Sequence, residues 1–135
     1  MNTGSLEITG IDHLVLTVED IEASCRFYTL LGGSVQTFGT DRRAIHVGHQ
    51  KINLHEDGQS NIEPVATHPQ PGSADICLVT SQPISDVITL LHDAELPLLE
   101  GPVERTGAQG SIQSVYLRDP DENLVEVATY TDEGG

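Results

Sequence analysis

SIQSVYLRDPDENLVEVATY, residues 111–130, holds two apolar-rich runs either side of Asp119-Pro120-Asp121-Glu122-Asn123. Val, Ile, Tyr and Leu favour strands, and the Asp/Pro/Asn cluster marks a turn, so the stretch predicts a β-hairpin. Strand side chains alternate faces, which puts Leu124, Glu126 and Ala128 on one side and Val125, Val127 and Thr129 on the other. Pairing Arg118 with Leu124 across the turn sets Tyr116 opposite Glu126, with Cβ atoms about 4.5–5.5 Å apart. An acid among apolar neighbours is costly to desolvate unless a cation or hydrogen bonds compensate it. Glu126 is therefore the first candidate for a functional residue.

The 135 residues suit one compact domain with a real core. No run approaches the roughly 18 apolar residues of a membrane span, and MNTGSLEITG lacks the basic and apolar regions of a signal peptide. A cytoplasmic protein is the default expectation. Cys25 and Cys77 form no CxxC and read as plain buried thiols. The formal charge is −15, with Lys51 the single lysine beside five arginines. So acidic a surface repels phosphate backbones, which argues against nucleic acid as a partner.

From the N-terminal side, IDHLVLTV (11–18) predicts a strand with His13 near its start, and Asp20 a helix cap. Ile21, Cys25, Tyr28 and Leu31 recur at helical spacing up to Gly32-Gly33. Residues 34–38, 43–47 and 51–55 predict three more strands. Residues 57–73, polar and carrying Pro64, Pro69 and Pro71, predict a linker. Residues 75–80 predict a strand, Ser81 and Pro83 a helix start with Ile84, Val87, Ile88 and Leu91 as its buried stripe, and 96–99 a short strand. Residues 101–110, rich in glycine, predict a loop before the hairpin.

Each half thus reads strand, helix, strand, strand, strand. Overlaying the halves matches His13 with Asp75 and Asn53 with Glu126. If the two curved sheets pack edge to edge, all four point into one cleft, and His13, Asp75 and Glu126 are good ligands for a divalent metal. Alone, His13 would read as a hydrogen-bonded core histidine, and Asp75 as a strand-start cap. The repeat is what makes them candidates. Arg105, in the predicted loop, suits an anionic substrate group.

HLVLTV, INLHE and YLRDPDENLVEV, in this order of elements over residues 8–130, resemble the glyoxalase/bleomycin-resistance/extradiol-dioxygenase (vicinal oxygen chelate) superfamily. DRRAIHVGHQKINLHE, PGSADICLVT and GPVERTGAQGSIQSVYLRDPDENLVEV resemble its small glyoxalase domain-containing proteins, some of them virulence-associated. The resemblance implies an α+β fold of two βαβββ modules, residues 8–56 and 74–131, forming a cupped mixed sheet as a single domain with linker 57–73. It implies a divalent metal in the cup and homodimers, often with the metal shared between modules of different chains. In that pattern His13, Asp75 and Glu126 take metal-ligand positions, and Tyr116 falls where fosfomycin-modifying relatives place a tyrosine near substrate. The sequence departs from glyoxalase I enzymes, which carry a glutamate where this chain has Asn53. His55, on the same strand face, is the nearest replacement. It also carries Glu122 where the family's DPDGN turn has glycine, which predicts a left-handed backbone at Asn123.

The chemistry so implied is Lewis-acid stabilisation of an oxyanion or enediolate on two adjacent substrate oxygens. Catalytic roles fall to Glu126 and Tyr116, and substrate contacts to Asn53, His55, Arg105 and Tyr116. Ni, Zn, Mn, Fe or Mg all suit an oxygen-rich set. Three functions follow: a metal-dependent glyoxalase-like lyase or isomerase of a small oxygenated substrate, an extradiol-dioxygenase-like oxidoreductase using His13, His55 and Glu126, or a bleomycin-resistance-type binder without catalysis.

Overall fold

The computed structural model describes residues 4–59 and 63–131. Its elements run β1 (His13–Val18), α1 (Ile21–Leu30), β2 (Ser34–Phe38), β3 (Arg42–Val47), β4 (Gln50–Glu56), β5 (Asp75–Val79), α2 (Ile84–Asp93), β6 (Glu100–Gly107), β7 (Gly110–Arg118) and β8 (Leu124–Tyr130). They build two four-stranded mixed sheets of matching topology, β1-β4-β3-β2 and β5-β8-β7-β6. In each, the first and last strands pair in parallel and the remaining neighbours are antiparallel.

Alternation in β1 and β4 decides which face is covered. Leu16, Val18, Ile52 and Leu54 are buried, whereas His13 and Val15 are exposed. α1 starts where the Asp20 carboxylate accepts from Ala23 N (3.2 Å), and it buries Cys25, Phe27 and Tyr28. One core runs through both sheets, joining these residues to Val87, Leu91, Val115, Leu117, Val125 and Val127. Each large apolar side chain so buried contributes about 1.5–3 kcal/mol.

The 119–123 turn binds the first half of the chain to the second. Tyr28 Oη donates to Asp119 Oδ2 (2.7 Å), and the backbone N–H of Glu19 donates to Asp121 Oδ1 (3.0 Å). Asp119 also accepts from the backbone N–H groups of Asp121 and Asn123, and from Asn123 Nδ2 at 2.8 Å. Asn123 Oδ1 in turn accepts from Ala74 N (2.8 Å). Burial and the adjoining Asp119 carboxylate push the Tyr28 phenol well above its ordinary value, so it is a fixed donor.

Three sequence expectations need correction. Cys25 is buried as expected, but Cys77 is exposed, because it sits on the open face of its sheet. The second strand of the second half is not 96–99 but β6, Glu100–Gly107, which includes most of the expected loop. Its glycines are required by close approach. A Cβ on Gly101 (φ +119°) would lie 2.7 Å from Ser114 O, and one on Gly107 would lie 2.8 Å from Tyr130 Oη. A register shift between Glu100 and Val103 completes the irregularity that hid the strand. The left-handed residue of the turn is Glu122 itself (φ +70°), not Asn123. Asn123 is locked by the three hydrogen bonds just described, so its neighbour takes the strain.

Candidate half-sites on two sheet faces

Tyr116 pairs with Glu126 and Arg118 with Leu124, as the five-residue turn predicts. Cys77 flanks Glu126 on its other side, in β5. These residues, with Arg105 and Tyr130, line a cavity of about 390 Å³. Ser114, two positions before Tyr116 on the same face and fully buried, donates from Oγ to Glu126 Oε2 at 2.5 Å. That bond partly compensates the acid and leaves its other oxygen available. Arg105 Nε donates to Tyr116 Oη (3.1 Å), and its guanidinium sits 5.6 Å from the ring centroid. Burial and the Glu126 and Asp75 carboxylates push the Cys77 thiol up to about 11, so it stays protonated at neutral pH. Asp75 is exposed and lies one strand pleat from Cys77 on this face, outside the cavity lining.

His13, Val15, Thr17 and His55 line a second cavity of about 560 Å³ on the first sheet, closed over by Pro64, Val65, His68 and Pro69 of the segment between β4 and β5. His13 Nδ1 donates to Asp12 Oδ2 at 2.8 Å, which leaves Nε2 as the ring nitrogen turned away from that carboxylate. Asn53, paired in register with Val15 and 7% exposed, has a buried Oδ1 with no hydrogen-bond partner. Burial, aided by the Arg42 guanidinium 3.5 Å from its Nε2, holds the His55 imidazole below its ordinary value. It is neutral at pH 7 and able to accept a proton.

The structure therefore brings Glu126, Tyr116 and Arg105 together on one sheet, and His13, Asn53 and His55 together on the other. Within a single chain the two cavities share no lining residue, and among the described residues no three His, Cys, Asp or Glu side chains form a metal-sized cluster. As two half-sets the donors do suit a divalent ion: an imidazole oriented by a carboxylate, an unpartnered buried amide oxygen, and a glutamate with one oxygen engaged. Sequence reasoning missed Ser114 and Asp12. Ser114 was legible as a same-face diagonal neighbour of Glu126, and Asp12 as the residue beside the candidate ligand.

The family model of the Glyoxalase/Bleomycin resistance protein/Dioxygenase superfamily matches residues 10–127. Virulence protein STM3117 of Salmonella typhimurium is 53% identical over 124 residues, covering 91% of this chain and 85% of that protein. Its crystal structure superposes with a TM-score of 0.90, covering 93% of this chain and all of that one. Glyoxalase domain-containing protein RDO1 of Mycosarcoma maydis is 48% identical over 127 residues, covering 94% of this chain and 72% of that protein. The lactoylglutathione lyase of Agrobacterium tumefaciens shares the fold, with a TM-score of 0.70 at 22% identity over 91% of this chain and 95% of that one.

Proposed function

Because the chain belongs to the Glyoxalase/Bleomycin resistance protein/Dioxygenase superfamily, we propose that it is a metal-dependent, glyoxalase-like lyase or isomerase acting on a small oxygenated substrate. The observation that carries the reading is the division of donors between two sheet faces, His13 and Asn53 on one and Asp75 and Glu126 on the other. A homodimer that sets the first sheet of one copy against the second sheet of its partner completes the set. His13, Asp75 and Glu126 would then hold the ion.

A bound divalent ion would supply Lewis-acid polarisation of substrate oxygens. The chain's own residues do the rest. Glu126 has one oxygen tied to Ser114, which fixes its rotamer and leaves the second oxygen to ligate or to take a proton. The Tyr116 phenol, positioned by Arg105 Nε, can donate to an oxyanion developing on the substrate. His55, neutral at pH 7, is a base on the opposite face. Asn53 cannot abstract a proton, so it serves as an acceptor for a substrate hydroxyl. His13 and His55 line one cavity, and this favours a second reading: with Glu126 they would form the two-histidine, one-carboxylate set of Fe(II) oxygen chemistry.

Metal analysis of wild type and Glu126→Gln tests the proposal. Wild type should carry metal, or gain melting temperature with Mn, Ni, Zn or Fe(II), and the variant should lose both. Unchanged metal content in Glu126→Gln would overturn the site. Isomerisation of the methylglyoxal–glutathione hemithioacetal supports the lyase. Catechol turnover with bound iron supports the dioxygenase. A metal-free protein without a thermal response leaves the bleomycin-resistance-type binder.

A further inference from the structure

The open face of the first sheet has a charge pattern opposite to that of the protein. The chain carries 21 acidic residues against six Lys and Arg. Yet three positions from each of β1, β2, β3 and β4 point to this face, and none of the twelve is acidic. Two of the six cations sit here together. Lys51 Nζ lies 4.2 Å from the Phe38 ring centroid, and the Arg42 guanidinium lies 4.8 Å from the same centroid. Neither makes an ion pair among the described residues, although Arg43 and Arg105 both do. Asp12, whose carboxyl Lys51 helps to lower, is already engaged by His13.

Two like charges brought over one ring repel each other, and cation–π attraction only partly offsets that. A ring platform leaves the ammonium hydrogens, and the guanidinium N–H groups not turned to His55, free to donate, a geometry suited to a planar or tetrahedral oxyanion. The position matters as well. Lys51 is the register partner of His13, and Arg42 lies 3.5 Å from His55, so the cations border the imidazoles of the candidate site.

We propose that Phe38, Arg42 and Lys51 form an anion-binding subsite, and that the substrate therefore carries an anionic oxygen group, either a carboxylate or a phosphonate. This rests on the reading of the first-sheet face as part of the substrate cup. The subsite holds the anionic end of the substrate on the first sheet while its uncharged oxygens face Glu126 and Tyr116. In a protein of charge −15, a local positive patch is also what lets a small anion approach.

Pyruvate, methylphosphonate and the uncharged pyruvamide are the probes, titrated by calorimetry and by amide chemical shifts into the 135-residue chain. Wild type should bind at least one of the two anions, with shifts at Phe38 and Lys51, and should not bind pyruvamide. The preferred anion identifies the group. Arg42→Gln and Lys51→Gln should each weaken binding about tenfold, the loss of one charge-assisted hydrogen bond. Arg26→Gln, on the exposed side of α1, should bind like wild type. Glu126→Gln should retain anion binding, which separates this test from that of the metal site: a protein without metal can still bind the anion here. Three results would overturn the subsite: pyruvamide binding as tightly as pyruvate, Arg42→Gln and Lys51→Gln indistinguishable from Arg26→Gln, or anion binding lost with Glu126→Gln. Shifts absent from Phe38 and Lys51 would do so without recourse to any variant.

Discussion

Ser114 Oγ and Glu126 Oε2 share a 2.5 Å hydrogen bond between adjacent strands, with the hydroxyl in the buried interior and the carboxylate at the cavity wall. Hydrogen bonds to charged acceptors are worth about 1.5–3 kcal/mol. Ser114→Ala should destabilise the chain by that order when Glu126 is present, and by much less in a Glu126→Gln background. A double-mutant cycle in urea measures the coupling. A coupling near zero would show that the bond does not hold Glu126 in place.

Glu122 stands at φ +70°, where a β-carbon costs roughly 1–2 kcal/mol. Replacing it by glycine should raise the melting temperature, by about 1 kcal/mol of stability once the extra freedom of the unfolded chain is counted. Asn123→Gly, one residue on, should do the opposite, because it removes the bonds to Asp119 and Ala74. A thermal melt of both variants decides the matter. A gain at residue 123 and a loss at 122 would contradict the turn geometry described above.

His55 is held below the ordinary imidazole value of 6.5, first by burial and then by Arg42. A depressed imidazole favours the neutral form in the folded state. Its contribution to stability is complete above about pH 6.5 and is lost as pH falls through the depressed value. The ring-proton NMR titration of His55 should have its midpoint below 6.5. In Arg42→Gln the midpoint should rise only part of the way, since the larger cause remains. A midpoint unmoved by that substitution would leave burial as the whole explanation.

The parts legible in the sequence were those in which one periodicity dominates. In β1 and β4 the core set of Leu16, Val18, Ile52 and Leu54 follows from HLVLTV and INLHE, whereas the exposure of Leu14 and the burial of Asn53 on the other face do not. The Tyr116–Glu126 pairing followed from the length of the 119–123 turn. β6 escaped because Gly101 and Gly107 look like loop residues in sequence, while in space they are where another backbone or a tyrosine passes too close for a side chain. Arg42, Lys51 and Phe38 lie on three strands, so only the sheet's register shows them as neighbours. The candidate ligands were found by matching the halves of the chain. That match says which strand position each residue holds, but not that the two faces look into separate cavities.

The bond from Tyr28 to Asp119 has a consequence for assembly. It crosses 91 residues of sequence, is buried, and ends on a carboxylate whose remaining lone pairs are taken by its own turn. Breaking this bond without replacement would leave a desolvated acid short of its donor and a phenol facing nothing. Each half thus needs a counterpart in the seat across from it, and only an identical half, from its own polypeptide or from a second copy, carries the groups that fill that seat.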